Sequence, residues 1–180
     1  MHRLLLPLLL AACAPLSERE ADPAAGWNGG FEKARNGLPV NWLVSTPKTV
    51  PDAEFEVALD RDERREGRQS LRFVVERCSA APGRLSPGIA QEIAADSGRA
   101  YAISFWIKSS GCAWDASFGG VTAKTGDART IDGAGVPRGV WSRVESVYVM
   151  PPGMERLRFT LDVLSPGRLW IDDVRVDPVE

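Results

Sequence analysis

Apolar and polar positions alternate strictly along residues 99–110 (RAYAISFWIKSS). Tyr101, Ile103, Phe105 and Ile107 hold one set of positions, and Ala102, Ser104, Trp106 and Lys108 hold the other. Successive side chains of a β-strand point to opposite faces, so the first set is expected to form a core stripe on a central strand. The second set makes a milder face, on which one large aromatic, Trp106, stands among small and polar neighbours. A sheet looks like this when one face is packed and the other lines a groove or meets solvent.

Strand-type patterns recur on both sides of this stretch. Residues 40–44, 54–59, 70–78, 89–94, 114–123 and 140–150, the short run at Thr130 and Ile131, and residues 156–164 and 168–176 all read as strands. Phe55, Val57 and Leu59 share a face in one of them. Leu71, Phe73 and Val75 share a face in another. Leu157, Phe159, Leu161 and Val163 alternate with Arg158, Thr160, Asp162 and Leu164. Turns rich in Gly and Pro separate these runs, as at residues 151–153 (PPG) and 165–167 (SPG), and the charged run 60–67 (DRDERREG) reads as a solvated turn. No long helical period is present. Many short strands between turns predict an all-β fold, an antiparallel β-sandwich, in one domain.

The start of the chain has a different pattern. A short basic segment, Met1-His2-Arg3, precedes an apolar run from Leu4 to Ala12 that is broken only by Pro7. The run fits a signal-peptide core and is too short to span a bilayer as a helix. It ends in Leu10-Ala11-Ala12-Cys13, which resembles the lipobox of bacterial lipoproteins; the alternative is an ordinary signal peptide cut near Ala12 or Ala14. The lipobox implies removal of residues 1–12 and acylation of Cys13. Residues 13–26 then form a polar, Ala- and Pro-rich tether, and 27–180 form the domain. Each buried methylene of an acyl chain adds about 0.8 kcal/mol, so several chains on one residue anchor stably. Ala14, rather than Asp, follows the cysteine. By the sorting rule known for some such lipoproteins, this places the chain in the cell envelope, at the outer membrane rather than the inner one.

Charge and composition narrow the chemistry. The formal net charge of the 180 residues is −2 and no basic run occurs, which argues against a nucleic-acid partner. The one histidine is His2, inside the expected signal. A mature chain without histidine has no Ser-His-Asp triad, no Cys-His pair and no His-ligated zinc. With Cys13 acylated, Cys78 and Cys112 are left as an even pair in an oxidising compartment. A disulfide is expected there, worth about 3–4 kcal/mol for a loop of this length; two buried free thiols are the alternative.

The order of short motifs resembles a known family. Asn28-Gly29-Gly30-Phe31-Glu32 is followed by Leu38-Pro39-Val40-Asn41-Trp42 and by residues 66–71 (EGRQSL). Gln91-Glu92-Ile93, the central stretch, Trp141 and residues 169–174 (LWIDDV) complete the series. Together they resemble the carbohydrate-binding modules of the family 4 and 9 type, within the galactose-binding-like jelly rolls. The resemblance covers nearly all of residues 27–176. It implies a jelly-roll β-sandwich of two antiparallel sheets that holds sugar across a concave face.

On that basis Trp106 is the first candidate ligand residue, since an indole offers an apolar plane to the C–H side of a pyranose. Its alternative is a structural aromatic packed under a loop. Arg158 and Thr160, and Arg72 with Glu76, lie on non-core faces of their strands and are candidates to bond sugar hydroxyls. Trp114 and Phe118 are candidates for the rim, whereas Trp42 and Trp141 are expected in the core. The family also implies a structural calcium near the termini, held here by Glu32 and Asp173 with Asn28 or Asp172 as helpers. Calcium takes about six to eight oxygen ligands. The alternative is that Glu32 accepts backbone N–H groups and the Asp pair caps a turn. These features point to a non-catalytic lipoprotein that binds a polysaccharide or envelope glycan and reaches the membrane through its N-terminal lipid. A structural or protein-interaction lipoprotein of the same fold, with envelope proteins as partners, is the alternative. An enzyme is not expected, since no carboxylate pair suited to glycoside cleavage stands out.

Overall fold

The computed structural model describes residues 26–80, 86–121 and 128–180. The expected signal, Cys13 and nearly all of the tether lie outside them. Among the described residues the elements are β1 (Ala34–Arg35), β2 (Leu38–Pro39), β3 (Leu43–Val44), β4 (Glu54–Asp60), β5 (Ser70–Arg77) and β6 (Gly88–Ala94). They continue with β7 (Ala100–Ser110), β8 (Trp114–Val121), β9 (Arg129–Asp132), a 3-10 turn (Gly133–Gly135), β10 (Ser142–Val149), β11 (Arg156–Val163) and β12 (Gly167–Pro178).

Ten of these strands form two five-stranded antiparallel sheets. The first has the order β10-β7-β12-β5-β4 and the second β3-β6-β11-β8-β9, while β1 and β2 pair as a small ribbon. The expected central strand, β7, sits between β10 and β12. Its core stripe is buried as the alternation requires. Leu157, Phe159, Leu161 and Val163 of β11 face it from the second sheet and are fully buried. Phe105 meets Phe159 edge-on, with ring centroids 5.5 Å apart, and Phe159 meets Trp42 likewise at 6.0 Å. The β-sandwich read from the sequence is therefore the fold, with its core between two inward faces of period two.

Local details depart from the expectation. The run 40–44 is not one strand: Asn41 takes φ +68° and separates β2 from β3. The N-terminal segment is clipped to β12, where Val174 N–H donates to Gly29 O at 3.0 Å and the Trp27 indole donates to Val174 O at 2.7 Å. A Cβ at Gly29 would run into that same carbonyl, so this approach needs glycine. Strand β12 carries a bulge between Asp172 and Arg175, with Asp173 at φ +49°.

Candidate functional site

The outward face of the first sheet holds Trp106. Register sets Arg143 of β10 on one side of it and Asp172 of β12 on the other. Toward the start of β7 the outward positions are Ser104 and Ala102, flanked by Glu145 and Val147 of β10 and by Arg175 and Asp177 of β12. Small side chains on the middle strand between larger ones on its neighbours leave a trough. A cleft of about 400 Å³ lies there, lined by Ala102, Ser104, Arg143, Glu145, Val147 and Asp177 among others. A second, of about 180 Å³, is lined by Glu66, Trp106, Arg143, Asp173 and Arg175. Arg143 belongs to both.

The other end of this face is bordered by residues 60–69, an exposed turn over most of 60–67, as expected, that is also tied down to the sheet as a strap. Asp60 fastens one foot: its carboxylate accepts from Asp62 N–H, Glu63 N–H and the Trp170 indole, at 3.0, 3.1 and 2.9 Å. Burial acts to raise its pKa, but these donors and the nearby Arg72 charge outweigh it and hold the carboxyl below the usual range. Asp172 fastens the middle of the strap, accepting from Arg65 and Glu66 N–H at 2.8 and 2.9 Å. Asp172 is fully buried, and burial pushes its carboxyl up to about 6 against those donors. Glu63 reaches Lys108 at 2.8 Å, and the Arg65 guanidinium lies over the Trp106 ring, 4.2 Å from its centroid. Trp106 is therefore half-buried, walled on the strap side and open toward the clefts.

The sequence-derived ligand residues do not share one groove. Arg72 is on the Trp106 face, but it is paired with Glu56 at 2.8 Å and with Asp60 at 3.4 Å beside the strap. Arg158 and Thr160 belong to β11, so they point outward from the opposite sheet. There Arg158 and Arg156 both bind Glu92, and Thr160 bonds the Ser117 hydroxyl. Beside them Asp115 has its carboxyl raised, first by burial and then by the charge of Asp132. Alternation tells which residues face out but not which sheet they leave, and this separated the set. Trp114 is not a rim residue: at 2 % exposure it is in the core against Phe105, as is Phe118. The inward positions of β8 are Trp114, Ala116 and Phe118. Trp42 is core as expected, whereas Trp141 is only half-buried. Arg65, Glu66, Arg143 and Arg175 were missed. The signal for Arg143 was its outward place on an alternating strand, but its neighbour on β7 follows only from register.

The residues expected to hold calcium are committed elsewhere. Glu32 accepts Arg68 and Gln69 N–H at 2.8 and 3.2 Å and pairs with the Arg68 guanidinium at 3.0 Å. Burial pushes the Glu32 carboxyl up, yet the Arg68 and Gln69 contacts bring it below its ordinary value. Asn28 Oδ1 accepts Lys33 N–H, and its amide donates to Lys33 O and Val40 O. Asp172 accepts backbone N–H groups, and Asp173 pairs with Arg175 at 2.8 Å. Among the described residues no group of three or more His, Cys, Asp or Glu side chains is placed to hold a metal ion. Calcium held by Glu32 and Asp173 would compete with these bonds to Arg68, Gln69 and Arg175. The other reading, carboxylates that accept backbone N–H groups, describes Glu32 and Asp172.

The expected disulfide is also corrected: Cys78 and Cys112 are free thiols. Cys112 donates to Arg168 O at 3.2 Å and Cys78 to Val163 O at 3.5 Å. Burial pushes both thiols up, which disfavours the thiolate needed for exchange.

No family model matches the sequence, and no curated protein matches it. Solved structures do match the fold. A CBM4 structure aligns at TM-score 0.61 with 18% identity, over 84% of this chain and 98% of its own. The shared fold is a jelly-roll β-sandwich of two antiparallel sheets. The CBM22-1 xylan-binding domain of Paenibacillus barcinonensis Xyn10C matches this jelly roll at TM-score 0.57 and 15% identity, over 84% of this chain and 92% of its own. The enzymatically active domain of Bacteriophage CBA120 tailspike protein 4 matches at TM-score 0.64 and 20% identity, over 84% of this chain; the chain spans 21% of that protein.

Proposed function

We propose that this jelly roll is a non-catalytic module that binds a polysaccharide or envelope glycan at the Trp106 face. The observation that carries the reading is the pair of adjoining clefts that share Arg143 beside an outward indole. An apolar wall with a few fixed donors and acceptors suits a pyranose, whose C–H face is apolar and whose rim is hydroxylated. Arg143 is held by Glu145 at 3.1 Å and Arg175 by Asp173 at 2.8 Å, so each side of the site presents a steadied donor and acceptor. These carboxylates serve as ion-pair partners, which supports binding rather than bond cleavage. The neighbours include a xylan-binding domain and a CBM61 complexed with β-1,4-galactotriose, and this likeness supports a sugar ligand.

The Leu10-Ala11-Ala12-Cys13 motif supports a lipid anchor at Cys13, with the module tethered in the cell envelope at the outer membrane. The second reading, a protein-interaction lipoprotein, is favoured by Arg65 already lying on the indole. A glycan array with insoluble-polysaccharide pull-down separates the two. Glycan capture by the wild type, weakened at least about tenfold, or about 1.4 kcal/mol, by Trp106→Ala while the circular dichroism is kept, is the expected result. A folded wild type that holds no glycan sinks the reading and favours a protein partner. Labelled palmitate incorporated in cells, and lost in Cys13→Ser, checks the anchor.

A further inference from the structure

We propose that the β10 edge of the first sheet is an interface between two copies of this chain, whose β10 strands pair antiparallel to make one continuous sheet. The inference goes beyond the carbohydrate reading and does not rest on it. β10 ends the strand order, and among the described residues it pairs with β7 alone. Met150 N–H donates to Arg99 O at 2.9 Å in the same register, so even-numbered positions turn their backbone groups to β7. Those of Arg143, Glu145, Val147 and Val149 point the other way, and the exposed Arg129 guanidinium reaches Val147 O at 3.3 Å. Sheet edges are commonly blunted by short length, proline, lysine or a bulge. β10 runs 8 residues without any of these, and Val147 and Val149 stand on it 54 % and 59 % exposed.

Charge complementarity makes a second copy the occupant. The outward side chains of β10 run Arg143, Glu145, Val147, Val149, and an antiparallel copy presents them in reverse. When Val144 faces Val144 of the second copy, Arg143 faces the second copy's Glu145, Glu145 faces its Arg143, and Val147 faces its half-buried Trp141. A slip of two residues either way sets Arg143 against Arg143 or Glu145 against Glu145, and a slip of one sends facing side chains to opposite sides of the sheet. Arg143 and Glu145 already pair at 3.1 Å along the strand, so two copies complete a ring of alternating charge. The other edges lack this property. β3 and β9 have 2 and 4 residues, and the outward positions of β4 are Glu54, Glu56, Ala58 and Asp60, which offer a second copy acid but no base. The two-fold axis stands normal to the sheet, so the Trp106 faces of both copies look the same way.

Sedimentation velocity of the full-length protein in mild detergent, over about 1–100 µM, tests this. The expected wild-type species is a dimer. Glu145→Arg sets arginine against arginine across the interface and is expected to raise the dimer Kd at least about tenfold. Arg143→Glu combined with Glu145→Arg exchanges the charges and is expected to bring Kd back to within about threefold of wild type. Both positions are exposed, so circular dichroism should confirm the fold in every variant. A wild type that stays monomeric across the range overturns the inference. A dimer indifferent to Glu145→Arg overturns its place at β10. A double variant no better than Glu145→Arg overturns the register, and with it the argument for a second copy.

Discussion

At the scale of single residues, Asp60 shows how one carboxylate organises a surface. It bonds two strap N–H groups and the Trp170 indole, and these contacts lower its pKa despite burial. A carboxyl with a depressed native pKa stabilises the fold above its unfolded value near 4, and the contribution disappears as pH falls through the native value. Asp60→Asn is therefore expected to lose about 1.5–3 kcal/mol at pH 7, the usual worth of hydrogen bonds to a charged group. Urea midpoints measured at pH 7 and again near pH 3 should show the wild-type advantage shrinking; equal advantages at both would refute the assignment. Burial also makes a residue-scale prediction for the thiols. Peptide mapping after alkylation in denaturant, without reductant, should find Cys78 and Cys112 both modified, and a linked pair would contradict the structure.

At the scale of elements, the legible parts were those whose pattern is local. β7 and β11 announced themselves by alternation, and their core faces follow it residue by residue. The run 60–67 did not, because its fastening points are distant: Asp172 lies 107 and 106 positions from the two N–H groups it binds. This charge run stays in water at Arg61, Asp62, Arg64, Arg65 and Glu66, while Asp60, Asp172 and the Glu63–Lys108 pair tie it to the sheet. Trp114 was misplaced for a related reason. Its strand alternates among Asp115, Ala116, Ser117 and the Gly119-Gly120 pair, which are too small to declare a phase. The clip of the N-terminal segment onto β12 offers a sharp element-level test. In Gly29→Ala the added carbon meets Val174 O, backbone that has no rotamer by which to yield. The expected loss is about 1–3 kcal/mol, and each kcal/mol lowers the melting temperature of a domain this size by about 2–4 °C. An unchanged melting temperature would show that the clip is dispensable.

At the scale of the whole molecule, the two outward faces are separated by the full thickness of the core, about 10 Å between sheets. Substitutions on them are expected to act independently. Removing Arg158 and Thr160 together should leave glycan capture within about twofold of wild type, since their partners Glu92 and Ser117 belong to the second sheet. A large loss in that double variant would move the site to the β11 face. The sandwich was readable from composition and period, because any sequence with these strands must bury its alternating faces against each other. Which candidates stand on a common face was not, because that depends on strand order, and order is decided by pairings between distant segments.

The bulge in β12 makes one strand obey two parities. Before it the inward residues are the odd-numbered Leu169 and Ile171; after it they are the even-numbered Val174 and Val176, while Arg175 and Asp177 turn out to the trough. Asp173 acts as a frameshift written into the backbone. Were the strand to run straight through Asp173 at unchanged length, everything that follows would exchange sides, turning charge inward and valine outward. Dropping Asp173 would instead leave Val174 and Val176 inward and Arg175 opposite Ser104, so the extra residue and the bulge that absorbs it cancel one another.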